Sequence, residues 1–531
     1  MIGKKIIIGG KEKLKVETLV YAVRKFIPAA LSEDGRAAMK SSEAVLNRLV
    51  DERVPIYGLN TQFGDQVKIF DANINNGKSE YYSSLKERQS NLVKSHNIGL
   101  GPDAPEEAVR GSLYLRAHCL GQGYSGVRPE VVEQLVSFIN KRIHPVIKRF
   151  GSIGASGDLI PLAAIGSALI GDKQLVNYKG SVVGAREALK KSGLKPLKLS
   201  IRDGLALING TSFLTSLATL SFYDLNRLFG QMLKALALAL EALSVIDSAF
   251  KPLVHELKRH AGEIDVNARL NAFWKGSSLI RNLNTLRNKN LNVSKNNNGN
   301  STHTEIEHIQ DYYSVRSIPQ GFGLLKDNLD RTRIWIEEEM NSVNDNPIVG
   351  VNPPEIYHGA NFMGYHITEA CDVLKMDIAQ ASSWIHSILA VMVHPRKNFG
   401  LPTNLSPRPE ILNGFRPLQI LAASLAVQNR KLAQVQQAFM IPTEGDNQDV
   451  NSLASHAAFD FRESVGHLEE LTAILLLAGA QAIELRGVSK AGTEAKKVHT
   501  AIRSVSPFID NDRMFSDDIK KVIGLMREEK I

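Results

Sequence analysis

Short polar islands interrupt otherwise apolar stretches of this chain, and each carries side chains able to do chemistry. Gly151-Ser152-Ile153-Gly154-Ala155-Ser156-Gly157-Asp158-Leu159-Ile160-Pro161-Leu162 starts as a glycine-rich turn and runs into an apolar helix pattern. Taken alone it reads as a turn and a helix start, with Ser156 or Asp158 as N-cap. Tyr57-Gly58-Leu59-Asn60-Thr61 sets a phenol beside turn residues, Ile208-Asn209-Gly210-Thr211 places an amide in a strong apolar run, and Gln310, Tyr313 and Arg316 join a phenol to a guanidinium. Asn344-Asp345-Asn346-Pro347, Gly359-Ala360-Asn361-Phe362 and Asp446-Asn447-Gln448-Asp449 complete the set. Buried polar groups need partners, so the islands form either one shared network or several local caps. The residues by themselves leave both open.

Standard modules do not account for them. There is no His-Glu-x-x-His pattern and no phosphate-binding loop, since Gly9-Gly10-Lys11 lacks the preceding glycines. His303, Glu305, Glu307 and His308 are close in sequence, but their spacing matches no specific metal site and reads as a polar helix start. No metal is expected. Two cysteines, Cys119 and Cys371, are too few for a disulfide framework and suit a reducing interior. The net charge of +9 is spread among acidic residues, and the densest basic stretches, around Lys190 to Lys198 and Arg281 to Lys289, lack interleaved aromatics. Nucleic acid is therefore not an expected partner, whereas a mild attraction for an anionic small substrate is. The start at Met1 makes a poor signal peptide, and no apolar run reaches the roughly 18 to 20 residues that span a bilayer. A cytoplasmic protein without membrane contact is expected.

The elements that must position these islands are mostly helices. Apolar residues recur at three- and four-residue spacing over 214–250, 362–393, 417–439 and 451–486, where Leu, Ala, Ile, Gln and Glu dominate. Strand-like alternation is confined to 4–8, 61–70 and 174–183. The first 200 or so residues are rich in turn signals and the rest in long helices, which predicts an N-terminal domain over 1–200 and a helical region over 201–531. The polar segment 288–304 reads as a surface loop. The fold class is mainly α with minor β elements in the N-terminal part.

Taken together and in this order, the motifs around Gly151 to Leu159, Leu205 to Thr211, Gln310 to Arg316, Asp345 to Pro347 and Gly359 to Phe362 resemble those of the histidine, phenylalanine and tyrosine ammonia-lyases. The match runs over about 18–487 and is most similar to the bacterial tyrosine enzymes. The resemblance implies a homotetramer around a long central helical bundle, with active sites shared between chains. It also implies that Ala155, Ser156 and Gly157 cyclise with loss of two waters to 4-methylidene-imidazol-5-one (MIO), so that no external cofactor is needed. Ser156 would supply the exocyclic methylene. The chemistry has need of such a group: ammonia is a poor leaving group, the β-proton is barely acidic, and ordinary side chains offer no comparable electrophile. It would act by taking up the amine or by attacking the ring.

By the same resemblance Tyr57, on a lid loop, takes the β-proton, which requires surroundings that favour phenolate. Arg316 clamps the substrate carboxylate in bidentate fashion. Asn209 and Tyr313 orient substrate and electrophile, the latter from a neighbouring chain. Gly64, Leu207, Gln310, Asn346, Phe362, Met363 and Asn447 line the site. Ser95-His96 stands where phenylalanine enzymes carry Phe-Leu, and a buried imidazole facing a bare phenyl ring lacks a partner. His96 instead suits a phenolic hydroxyl or a substrate imidazole. Gln448 replaces the glutamate of histidine enzymes, while Glu444 matches one in phenylalanine enzymes and is placed to serve the amine. The balance favours L-tyrosine going to trans-4-coumarate. Histidine to urocanate, phenylalanine to cinnamate, and a tyrosine 2,3-aminomutase are the alternatives, with a noncatalytic helical scaffold as the reading from another class. Two departures stand out: Gln62 replaces a glycine near Tyr57, and Met363 replaces His or Gln.

Overall fold

The computed structural model covers residues 5–69, 77–296 and 306–531. Nineteen helices and nine short strands are found among them. The helices of the N-terminal half are α1 (Val16–Lys25), α2 (Glu33–Asp51), α3 (Lys78–Ser95), α4 (Glu106–Gly121), α5 (Pro129–Lys141), α6 (Ile160–Leu169), α7 (Ala185–Ser192), α8 (Asp203–Ile208) and the long α9 (Ser212–Ala242). Then follow α10 (Pro252–Lys258), α11 (Ala261–Phe273), α12 (Leu283–Asn296), α13 (Tyr313–Arg316), α14 (Ile318–Met340), α15 (Tyr365–Val393), α16 (Arg416–Leu432), α17 (Ala454–Arg486), α18 (Thr493–Arg503) and α19 (Ser516–Arg527). The fold is mainly α, and no described helix is long and apolar enough to cross a membrane.

Local chemistry sets the ends of several helices. Ser32 caps α2 by accepting from the Gly35 N–H at 2.9 Å, and Glu33 and Asp34 meet the positive end of its dipole. Pro129 and Pro161 stand in the first turns of α5 and α6, where the missing N–H costs nothing. Gly111 lets α4 approach α9 closely, since a Cβ there would sit 2.1 Å from Ser216 Oγ.

The strands are β1 (Ile6–Ile8) and β2 (Ala29–Leu31), paired in parallel; β3 (Leu100–Asp103) with β5 (Lys148–Phe150); the three-stranded antiparallel β4 (Ile143–Pro145), β6 (Leu175–Tyr178) and β7 (Ser181–Gly184); and the hairpin β8 (Ile348–Val351) and β9 (Pro354–Tyr357).

The chain divides into two compact units. One comprises Met1–Tyr223, Thr332–Asp372 and Val435–Arg462, the other Asp224–Arg331, Val373–Gln434 and Glu463–Ile531. The first unit brings together segments far apart in the chain: 209–211 and 443–455 return to the loop at 151–159, and Asn344 packs against 210–211. Two sequence expectations are corrected. The segment 61–70 is not a strand: Gly64–Gln66 is a 3-10 turn, because Asn60 and Thr61 bond their own loop instead of a ladder, and Phe70 lies outside the described residues. The expected loop at 288–304 begins as helix, since α12 runs to Asn296, with Asn290 exchanging hydrogen bonds with the Glu307 backbone. Residues 297–304, and with them His303, lie outside the described residues, as does Glu305; Glu307 and His308 are exposed coil.

Candidate active site

The loop joining β5 to α6 carries Ala155-Ser156-Gly157, and long-range partners hold it on several sides. The Gly154 carbonyl accepts from Ser452 N at 3.2 Å and Ser452 Oγ at 3.0 Å, and Leu453 N donates to Ile153 O at 2.9 Å. Ser152 Oγ donates to Gly157 O at 3.2 Å. Gly157 lies against Gly210: it has φ +72°, and a Cβ would fall 2.1 Å from Gly210 O, so only glycine fits. Leu159 follows at φ +33°, a strained conformation for a non-glycine residue. Ala155 and Gly157 are buried while Ser156 is half-buried. Among the tripeptide's side chains, the serine is the one that reaches open space.

Asp158 ties this loop to the start of α9. Its carboxylate accepts from the N–H groups of Phe213 at 2.7 Å and Leu214 at 3.1 Å, two of the orphan donors at that helix end. Complete burial outweighs these bonds and pushes the carboxyl up to about 7. The segment 209–211 between α8 and α9 is fixed from behind by Arg116, which donates to Asn209 O at 2.9 Å and to Cys119 Sγ at 3.1 Å. Gly210 is needed there, for a Cβ would lie 2.0 Å from Arg116 Nη1. Thr211 donates through N to Asn344 Oδ1 at 3.3 Å and through its hydroxyl to Glu339, whose burial raises its carboxyl to about 7. Asp345 pairs with fully buried Arg202 at 3.0 Å. The islands at 208–211 and 344–346 thus form one shared network in the first unit.

Two polar groups face Ser156. Asn209 Nδ2 donates to Ser156 O at 3.4 Å, and its buried Oδ1 has no partner among the described residues. Gln448 Nε2 donates to Ser156 Oγ at 3.3 Å, while its Oε1 accepts from Thr443 Oγ1 at 2.9 Å. Thr443 and Gln448 bridge across a tip in which Glu444, Gly445 and Asp446 all have positive φ, at 55°, 59° and 62°. Such strain in non-glycine residues costs on the order of 1 to 3 kcal/mol each and collects at functional sites.

Tyr57 sits between two buried anchors, Ile56 and Leu59, that belong to a core cluster with Leu46, Val50, Leu85 and Val349. Asn60 accepts from Ile56 N at 2.7 Å and donates to Val54 O at 2.8 Å; Gln89 donates to Gly58 O at 2.8 Å and accepts from Leu205 N at 2.7 Å. The phenol oxygen accepts from Gly64 N at 3.1 Å. Glu444 reaches the same place, with Oε1 2.2 Å from where a Gly64 Cβ would stand. The requirement for phenolate is not met by these neighbours: burial raises the Tyr57 pKa, Glu444 adds to the rise, and only the Gly64 N–H opposes it.

The remaining expected residues fall into place around these groups or apart from them. Asn346 is buried and accepts from Gly359 N at 2.8 Å; Leu207 is buried in α8; Phe362 and Met363 are half-buried, and exposed Asn447 closes the 444 tip by donating N–H to Glu444 O at 3.1 Å. Gln62 is half-buried beside the Tyr57 loop, its N–H donating to Ile69 O at 3.0 Å. At the end of α3, His96 Nδ1 meets Leu92 O at 2.9 Å and Ser95 Oγ at 3.2 Å, while Ser95 Oγ donates to Leu92 O at 3.1 Å. Gln310, Tyr313 and Arg316 belong to the second unit. Gln310 is exposed, Tyr313 is 76% exposed, and Arg316 stacks over the Tyr313 ring at 4.5 Å, its Nε without a partner among the described residues.

A phenol, an acidic tip, an unpartnered buried amide oxygen and a clamped Ala-Ser-Gly turn all lie in one unit, and the matching family model, described as aromatic amino acid lyase, covers residues 14–504. The chain belongs to this family. Membership brings with it a MIO electrophile made from the chain itself and lyase-type chemistry on an aromatic amino acid. Histidine ammonia-lyase of Bacillus subtilis is 34% identical over 506 residues, covering 95% of this chain and 93% of that protein. Tyrosine 2,3-aminomutase of Myxococcus fulvus is 33% identical over 480 residues, covering 90% and 89%. The solved tyrosine aminomutase of Streptomyces globisporus superposes with a TM-score of 0.90 at 31% identity over 99% of this chain and 97% of that one. These relatives span histidine and tyrosine enzymes at similar likeness, so they do not single out the tyrosine ammonia-lyases.

Several residues that hold this candidate site are absent from the sequence reading. His358, after β9, accepts the Tyr57 N–H at 3.2 Å through Nε2. Gln89 and Arg116 bind backbone 31 and 93 residues away. Only His358 carried a signal in sequence, as the imidazole next to Gly359-Ala360-Asn361-Phe362.

Proposed function

We propose that the chain eliminates ammonia from an aromatic L-amino acid whose ring bears a hydrogen-bonding group, with L-tyrosine going to trans-4-coumarate. The observation that carries the substrate choice is the set of His96. Its Nδ1 faces the Leu92 carbonyl, which can only accept, so Nδ1 donates there and Nε2 is the ring nitrogen left to meet a polar group of the substrate. A phenolic O–H satisfies it; the bare ring of phenylalanine does not.

The residues present suit an electrophile at Ala155-Ser156-Gly157. Gly157 N must approach the Ala155 carbonyl, and a turn clamped by Ser452, Leu453 and Gly210 pays the entropic cost of that approach during folding. When formed, MIO supplies the electron sink that makes the amine able to leave. The chain's own groups do the rest. Asn209 Oδ1 is free to accept a hydrogen bond from the substrate amine, and the Gln448 amide holds the opposite side of Ser156. Tyr57 Oη takes the β-proton; the C–H electrons become the Cα=Cβ bond as the C–N pair leaves with nitrogen. Arg316 pairs with the carboxylate. Its exposed neighbour Tyr313 supports sites shared within a homotetramer, with the 310–316 segment serving another chain.

Two other readings use the same groups. Histidine is favoured by the Bacillus subtilis relative, but Gln448 offers an imidazole no carboxylate. Return of ammonia to the β-carbon is favoured by the tyrosine aminomutase relatives. Parallel incubation with tyrosine, histidine and phenylalanine separates them: accumulation of 4-coumarate is expected, whereas urocanate or dominant β-tyrosine would replace the tyrosine elimination reading. The intact chain should be about 36 Da lighter than its sequence, two waters, and Ser156→Ala should restore full mass and abolish turnover.

A further inference from the structure

A second concave site lies in the first unit and shares no residue with the groups above. It is a pocket of about 790 Å³, within the size range of small-molecule sites. Four cations line it: Lys141 and Arg142 at the end of α5, Lys179 in the β6–β7 turn, and Lys191 near the end of α7. Glu106 is the one carboxylate among the lining residues, and its charge is paired with Arg110. It accepts from Arg110 Nη2 at 2.8 Å, from His144 Nδ1 at 2.8 Å and from Asn177 Nδ2. His144 adds no charge of its own: Arg110 Nε donates to its Nε2 at 3.1 Å, and burial and the two arginines lower its pKa.

Two of the four cations, Arg142 and Lys179, stand in left-handed backbone. Phe26 caps α1 at φ 53° and its ring is sandwiched between guanidiniums, with Arg110 at 3.8 Å and Arg142 at 4.3 Å from the centroid. Arg142 itself ends α5 at φ 56°. Lys179 takes the first central position of a two-residue hairpin turn at φ 53°, ahead of Gly180 at φ 85°, where glycine or asparagine is the relaxed choice. Helix dipoles account for Lys141 and Lys191 at the ends of their helices, and Lys191 also pairs with Glu187 at 2.6 Å. Arg142, the C-cap of α5, shares that dipole and lies over Phe26, and Lys179 lies 5.3 Å from the Tyr178 ring centroid; neither has an ion-pair partner among the described residues. Four cations around one pocket, against the single lining carboxylate of Glu106, leave an excess of positive charge that an anion from solution would meet.

We propose that this pocket binds a small phosphorylated anion carrying two or more negative groups, held by Lys141, Arg142 and Lys179. Phe26 serves as the spacer that fixes Arg142 in place, its two faces being already occupied. The anionic groups are thus the recognised part of the ligand.

Calorimetric titration of the full-length protein with inorganic pyrophosphate and with ATP tests this. Saturable binding of both, one per chain, weakened at least tenfold in Lys141→Ala/Lys179→Ala and weakened by added salt, is expected. These side chains are exposed, so the variant should fold. Arg316→Ala should bind both probes as the parent does; loss there would place the anion on the substrate carboxylate clamp and overturn the proposal. Binding unchanged in the double variant, binding of ATP without pyrophosphate, or no saturable binding of either at low salt would overturn it as well.

Discussion

Replacing Glu444 with glutamine tests the electrostatics of the proposed base. Glu444 and the Tyr57 phenol meet on either side of Gly64, whose N–H donates to the phenol at 3.1 Å and whose Cβ position lies 2.2 Å from Glu444 Oε1. For groups brought this close through one residue, taken at about 6 Å, Coulomb's law gives roughly 1 to 3 kcal/mol between unit charges at an effective dielectric of about 20 to 50. Glu444 is exposed, so the lower end applies, about one pH unit. Carboxylate and phenolate repel, so its removal lowers the Tyr57 pKa. The base form dominates above that pKa, so activity rises with pH along an alkaline-shifted limb, and Glu444→Gln moves the limb to lower pH by about one unit. The quantity to follow is kcat/KM against pH, which reports the free enzyme and separates this effect from any loss of amine binding seen in KM. Tyr57→Phe should remove the limb with the activity. A limb that stays in place, or moves to higher pH, would show that Glu444 does not act on the base.

The other expectations concern specificity, positioning and stability. His96→Phe should shift the ratio of kcat/KM for tyrosine over phenylalanine toward phenylalanine by about ten- to a hundredfold, as one hydrogen bond to the substrate hydroxyl is lost; an unchanged ratio would move selectivity to another wall, such as Met363. His358→Phe removes the acceptor of the Tyr57 N–H and should lower kcat/KM roughly tenfold while the mass deficit of two waters persists; loss of that deficit would mean the residue serves the fold at large. Asp158 binds its proton more tightly folded than unfolded, so its contribution to stability is present at low pH and is lost as pH rises from about 4 to about 7. In Asp158→Asn, which can still accept from Phe213 and Leu214, chemical denaturation at pH 5 and pH 8 should differ less than in the parent; an equal difference would refute the assignment.

The long helices were legible because their Leu- and Ala-rich stripes repeat at helical spacing, as in 214–240 and 454–486. Errors came where side chains override pattern. Alternation at 61–70 suggested a strand, yet Asn60 and Thr61 spend their hydrogen-bonding groups on the Tyr57 turn. Residues 288–296 looked too polar for a helix, yet Asn290 anchors them to Glu307. In the site, the residue types at 57, 155–157, 209 and 448 were readable as motifs. What the motifs could not carry was partnership at a distance: Arg116 behind Asn209, Gln89 beneath Gly58, and Asp158 reaching the first turn of α9. The direction of the Tyr57 shift was likewise hidden, because burial of the phenol sets it and Glu444, some 387 residues away in the chain, adds to it.

The grip on the Ala155-Ser156-Gly157 turn has a consequence for the life history of the molecule. Gly210, Ser452 and Leu453 are supplied from far downstream, so the turn is braced only after most of the chain has been made and folded. On the assignment proposed above, the chemical change at Ser156 is then a permanent record that the tertiary structure was once reached. A ribosome-bound chain stopped short of Ser452 should keep both waters, and a preparation containing mixed masses would disclose what fraction of its molecules had ever folded.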